Sequence, residues 1–219
     1  MCDSFSTSDE HVPPQCLFPE KKDLPAGADL RKNLFTVPSC DAHNSQKSHD
    51  DDYFLYILTG CFQINEIGRN QYRTKVRRAI KRNPSLLKKI AASSTSVEIT
   101  YPLSENNKIS RTFKLEEGRF DTIIDRLSRA IYFHHFQEKW LGQVKYQAEF
   151  LFSTTNPLDE LNNRCETISK NADEWFSRAI YHGENPAVFK YQTLENNESR
   201  KMRLHFYEGC KLLLIFDNQ

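Results

Sequence analysis

Apolar and polar positions alternate with a changing period along this chain, and the period predicts its elements. Between Glu117 and His135 the apolar residues Phe120, Ile123, Ile124, Leu127 and Ile131 recur every three or four positions, the mark of one helix face. Ala187–Thr193, Met202–Tyr207 and Lys211–Phe216 read as three closing strands. The turn between the last two falls at Glu208-Gly209-Cys210, with Gly209 expected to supply a positive φ. Val97–Tyr101 and Ser110–Leu115 alternate around Ser104-Glu105-Asn106-Asn107, which predicts a hairpin. Val144–Ser153 reads as a strand and Asp159–Ser177 as a helix in two pieces.

The first 40 residues are different. They are rich in Pro, Asp and Ser, and Pro13-Pro14, Pro19 and Pro25-Ala26-Gly27 break any long element. Short extended pieces are expected at Glu10–Val12 and Leu34–Val37, then a helix from Asp41 to about Leu58. Gly60–Asn65 reads as a boundary, and residues 66–92 as helical with an interruption at Asn83-Pro84. The fold expected is a two-part α+β protein: a small N-terminal module over 1–60 and a mixed helix–sheet domain over 61–219.

Composition narrows the picture. Apolar residues make up 38% and aromatic residues 12% of the chain, enough for a packed core. The apolar runs fall far short of the roughly 20 residues a membrane helix needs. Met1-Cys2-Asp3-Ser4 lacks the features of a secretory signal, so a cytoplasmic protein is expected. Cys2, Cys16, Cys40, Cys61, Cys165 and Cys210 are spread too widely for a disulfide scaffold and suit a reducing compartment.

The net charge of +1 conceals an uneven distribution. No acidic residue lies between Ile67 and Val97, a stretch that holds Arg69, Arg73, Lys75, Arg77, Arg78, Lys81, Arg82, Lys88 and Lys89. Arg69, Arg73, Arg77 and Lys81 recur every four positions and form one stripe if the helix is continuous, with Arg78 and Arg82 alongside. Such a stripe is a solvated helix face or a polyanion surface.

Candidate chemistry gathers near the start. His11 follows Asp9 and Glu10, and Cys40-x-x-His43 has the spacing of a zinc knuckle with Asn44 next to it. Elsewhere packing and surface roles are expected. His49 and Asp50-Asp51-Asp52 are expected on the exposed side of the first helix. His134 or His135 is expected to pack and hydrogen-bond. Trp140, Trp175 and Phe176 are expected in the core, and Cys61, Cys165 and Cys210 as core thiols.

Taken in order, Asp9-Glu10-His11-Val12-Pro13-Pro14, Asn33-Leu34-Phe35-Thr36-Val37-Pro38-Ser39-Cys40, Asn44, Ser48 and Asp50-Asp51-Asp52-Tyr53 resemble the bacterial HNH endonuclease family. The resemblance covers roughly residues 2–54. It implies a ββα-metal module and hydrolysis of phosphodiester bonds, in DNA before RNA. His11 is then the general base, a role suited to imidazole as a residue type, and Asn33 hydrogen-bonds its ring. Glu10 is the carboxylate ligand of a catalytic Mg²⁺ or Mn²⁺, and Asn44 stands where family members place the second ligand.

The resemblance also implies a structural Zn²⁺ on Cys2, Cys40 and His43. Its fourth ligand falls before Met1, unless the site has three ligands, borrows Cys16 or is lost. Beside such a site the task of Arg69, Arg73, Arg77, Arg78, Lys81 and Arg82 is to neutralise nucleic-acid phosphates. Small nucleases of this kind occur in bacterial defence systems and mobile elements, which implies a restraining partner protein. The rival expectation is a non-catalytic zinc-knuckle module that binds nucleic acid or works inside a complex.

Overall fold

The computed structural model describes residues 6–40, 47–82, 94–99, 108–113, 115–151, 160–196 and 199–217. Two short strands open the chain, β1 (Ser8–His11) and β2 (Thr36–Ser39), paired antiparallel with His11 opposite Thr36 and Glu10 opposite Val37. The long connection between them is held down by apolar residues: Val12, Leu17 and Phe18 are buried. The Val12–Pro13 peptide bond is cis.

Helix α1 (Lys47–Gly60) follows, its expected first turns at 41–46 lying outside the described residues. Phe54, Leu55, Ile57 and Leu58 bury its inner side. Helix α2 (Glu66–Gln71) is capped by Asn65, whose side chain accepts from the Gly68 amide. It runs through a π turn over Tyr72–Val76 into α3 (Arg77–Arg82). The expected break at Asn83-Pro84 lies outside the described residues.

Strands β3 (Ser94–Ile99) and β4 (Lys108–Phe113) form the expected hairpin. Helix α4 (Glu117–Phe136) buries Phe120, Ile123, Ile124, Leu127 and Ile131, the face read from the sequence. It stops at Gln137, whose left-handed backbone and N–H to the Phe133 carbonyl close the last turn.

The remaining strands are β5 (Val144–Ala148), β6 (Tyr181–Asn185), β7 (Phe189–Glu195), β8 (Ser199–Phe206) and β9 (Cys210–Asp217). They form one antiparallel sheet in the order β5-β9-β8-β7-β6. Alternation along the strands gives it two different faces. Tyr191, Met202, Leu204, Phe206, Leu212, Leu214 and Phe216 join α1, α4 and the N-terminal segment in the main core. Leu213 turns the other way, toward Ala172 and Phe176 at the end of helix α5 (Glu160–Trp175).

Four expectations need correction. The helix over 160–175 is a single piece. The strand from Val144 ends at Ala148, because the chain turns there and sends the Glu149 carboxylate to Arg203. Trp175 is 46% exposed, since the sheet-facing positions of α5 are taken by Ala172 and Phe176. Gly209 does not carry the positive φ of its turn; Tyr207 and Glu208 do, at 47° and 63°. Glycine is required at 209 because a Cβ there would collide with the Gln63 backbone carbonyl.

Gly60, where a boundary is expected, is the last residue of α1, and buried apolar residues from both sides of it belong to one cluster. Among the described residues no helix is long and apolar enough to cross a membrane.

Candidate functional site

His11 closes β1, with Glu10 before it and the buried Val12–Pro14 turn after it. Consecutive strand residues leave opposite faces, and the two side chains meet different neighbours. The Glu10 carboxylate accepts from the Ser39 hydroxyl across the ribbon at 3.2 Å. The His11 ring has Nε2 3.5 Å from the Gln15 amide nitrogen, a long contact. Its Nδ1 is buried and has no hydrogen-bond partner among the described residues. Sequence reading singled out neither Ser39 nor Gln15. The β1–β2 register, which puts Ser39 diagonally across from Glu10, is the signal for the first.

Asn33 does not hold the His11 ring. It is exposed at a turn, its backbone is left-handed at φ 53°, and no bond joins it to His11. Asparagine is one of the few residues that takes this conformation at low cost. The adjacent Lys32 carbonyl accepts from the Asn185 side chain at 2.9 Å, tying this loop to the end of β6.

Glu10 offers the hard oxygen that Mg²⁺ or Mn²⁺ takes, and such an ion fills its other positions with water and substrate phosphate. The residues described here therefore fit one part of a hard-cation site. Asn44, expected as the next ligand, lies outside them. So do Cys2 and His43; of the expected zinc ligands only Cys40, buried at the end of β2, is described. Among the described residues no three His, Cys, Asp or Glu side chains gather around one point. The Cys16 thiol donates a hydrogen bond to the Asp51 carbonyl in α1, and burial pushes its pKa up to about 12 against the opposing pull of Lys75.

Asp50, the first of the acidic run in α1, serves packing. Asp50 accepts from Arg119 at 2.9 Å and pairs with Arg126 at 3.3 Å, joining α1 to α4. His134 stacks on Phe35, with ring centroids 3.7 Å apart, and His135 lies between the hydroxyls of Tyr191 and Thr193. Burial lowers the pKa of both rings.

The basic helix divides into two roles. Arg78 is spent on Asp23 in a two-pronged ion pair with both contacts at 2.6 Å, and the bond from Arg78 holds the Asp23 carboxyl below its usual range. Lys75 donates to the Cys16 carbonyl. Arg69 and Arg73 both lean on the exposed Glu66. Arg77, Lys81 and Arg82 are exposed. The π turn inserts extra backbone into the stripe, so the four-residue spacing no longer maps onto one straight line.

Comparison of the chain with protein-family models, with curated proteins and with solved structures finds no match.

Proposed function

We propose that the β1–β2 ribbon and α1 carry a metal-dependent endonuclease site that hydrolyses phosphodiester bonds, in DNA before RNA. One observation carries the reading: Glu10 and His11 follow one another at the end of a ribbon that precedes a helix, with His11 Nδ1 buried and without a hydrogen-bond partner among the described residues. In this reading His11 takes the proton from the attacking water. Glu10 leaves Ser39 to hold a divalent ion, Mg²⁺ or Mn²⁺, with Asn44 as the further ligand. The ion supplies charge stabilisation at the phosphate and the leaving oxygen. Zn²⁺ on Cys2, Cys40 and His43 supports the module. Arg69, Arg73, Arg77, Lys81 and Arg82 bring the nucleic-acid backbone to it, and a partner protein restrains it in a cytoplasmic setting such as bacterial defence.

The test is cleavage of a supercoiled plasmid in Mg²⁺ or Mn²⁺ by the full chain and by Glu10→Gln. The reading expects metal-dependent nicking that the variant lacks. Equal nicking by both would sink it.

A second reading rests on Asn33, which is exposed and leaves the His11 ring alone. It makes the chain a non-catalytic module that binds nucleic acid or a partner. It expects unchanged DNA retention by His11→Ala and no cleavage in any metal.

A further inference from the structure

Strands β7, β8 and β9 set Lys190, His205 and Lys211 in one row across the sheet. Lys190 is the register partner of His205, and His205 is the partner of Lys211. Side chains opposed in this way sit about 5 Å apart at Cβ. The row faces away from the main core, because Leu204 and Phe206 on either side of His205 point into that core. It therefore lies on the other face of the sheet from the core that the N-terminal segment joins.

The row lines a cavity of about 250 Å³ between the sheet and the end of α5. Its floor is rigid. Arg203, only 2% exposed, is gripped by Glu149 at 2.8 and 2.5 Å and by Asp173 at 2.7 Å. Lys211 shares Asp173 at 3.2 Å. Lys190 lies over the Tyr181 ring at 4.2 Å and has no carboxylate partner among the described residues.

His205 is the unusual member. It is 4% exposed and its Nε2 has no hydrogen-bond partner among the described residues. Burial, then Arg203, Lys211 and Lys190, push its pKa down to about 3, with Asp173 acting the other way. The ring is thus a neutral donor or acceptor, in a cavity lined by the cations Lys190, Arg203 and Lys211 and the carboxylates Asp173 and Glu208. Lys190 brings to this row a positive charge that no carboxylate among the described residues pairs with. A buried nitrogen without a partner likewise calls for an explanation. One bound oxyanion resolves both.

We propose that this cavity is a binding site for a phosphate group, with Lys190 and Lys211 supplying the charge and His205 Nε2–H donating to a phosphate oxygen. The size suits inorganic phosphate or the phosphate end of a mononucleotide, and Tyr181, half-exposed in the lining, offers its ring to a base once Lys190 turns from it to the phosphate.

The test is calorimetric titration of the full chain with inorganic phosphate, AMP and adenosine at fixed ionic strength. Phosphate and AMP are expected to bind and adenosine is not. Tighter binding of AMP than of phosphate identifies a nucleotide as the source; equal affinities identify phosphate itself. Lys190→Ala/Lys211→Ala is expected to weaken both by about tenfold or more, as loss of charge-assisted hydrogen bonds demands. Should that double variant fail to fold, Lys190→Gln, which gives up only the contact with Tyr181, carries the same expectation in direction. Failure of both phosphate probes to bind at millimolar concentration overturns the proposal. So does unchanged affinity in a folded variant.

Discussion

The Tyr207 hydroxyl donates a 2.5 Å hydrogen bond to the Leu17 carbonyl, joining the turn after β8 to the segment after β1. Around it, the Tyr207 carbonyl accepts from the Asn65 amide and its own amide donates to the Val188 carbonyl. Gly68 leaves room for its ring, which a Cβ would meet at 2.9 Å. The N-terminal ribbon and the C-terminal sheet are thus held by the same residue. We expect Tyr207→Phe to lower the unfolding free energy by about 1 kcal/mol, because Leu17 keeps the bond from Gln71. Urea unfolding followed by fluorescence and by circular dichroism should give one coincident transition. Two separated transitions would show that the parts fold independently.

Gly209 makes a sharper case. Gly209→Ala places a methyl group against the Gln63 backbone carbonyl, which cannot swing aside as a side chain could. A loss of about 1–3 kcal/mol is expected in denaturant titration, in line with other forced overpacking. Stability within a few tenths of wild type would contradict the close approach.

This glycine also shows how far the sequence reaches. Glu208-Gly209-Cys210 reads as a turn, and it is one, but the need for glycine comes from a contact with residue 63 that no local pattern encodes. Helix α4 was legible to within a residue because its apolar period and its burial arise from the same face. Strand β6 was not. Tyr181-His-Gly-Glu-Asn lies at the sheet edge, is exposed or half-exposed throughout and is broken by a register shift, with Gly183 at φ 121°. The π turn in the basic helix has no sequence mark either. At the candidate site, Glu10 and His11 were visible as a motif. The actual neighbours Ser39 and Gln15 were not, because they depend on register and on the turn that follows.

Stability should depend on pH through His205. Its folded pKa lies far below the unfolded value of about 6.5. Between the two, the unfolded chain binds a proton that the folded chain refuses, so stability falls as the pH drops. The contribution is complete above about pH 6.5 and drains as the pH descends toward about 3. His205→Gln should flatten that part of the curve relative to wild type. Parallel curves would place the imidazole in a more open setting.

The basic helix yields a binding prediction. Arg77, Lys81 and Arg82 are exposed, whereas Arg78 is committed to Asp23. Replacing Arg77 by Ala should weaken duplex binding equally across sequences and lower the salt slope by about 1. Arg78→Ala should instead cost stability. If Arg77→Ala leaves the salt dependence unchanged, nucleic acid does not run along this helix.

The most direct measurement for the nuclease reading is single-turnover plasmid cleavage by wild type and by His11→Ala in Mg²⁺ and Mn²⁺, with thermal unfolding confirming that the variant is folded. Loss of a general base predicts a fall in rate of about a hundredfold or more, with DNA retention on a filter unchanged. Cleavage at the wild-type rate by His11→Ala would contradict the account.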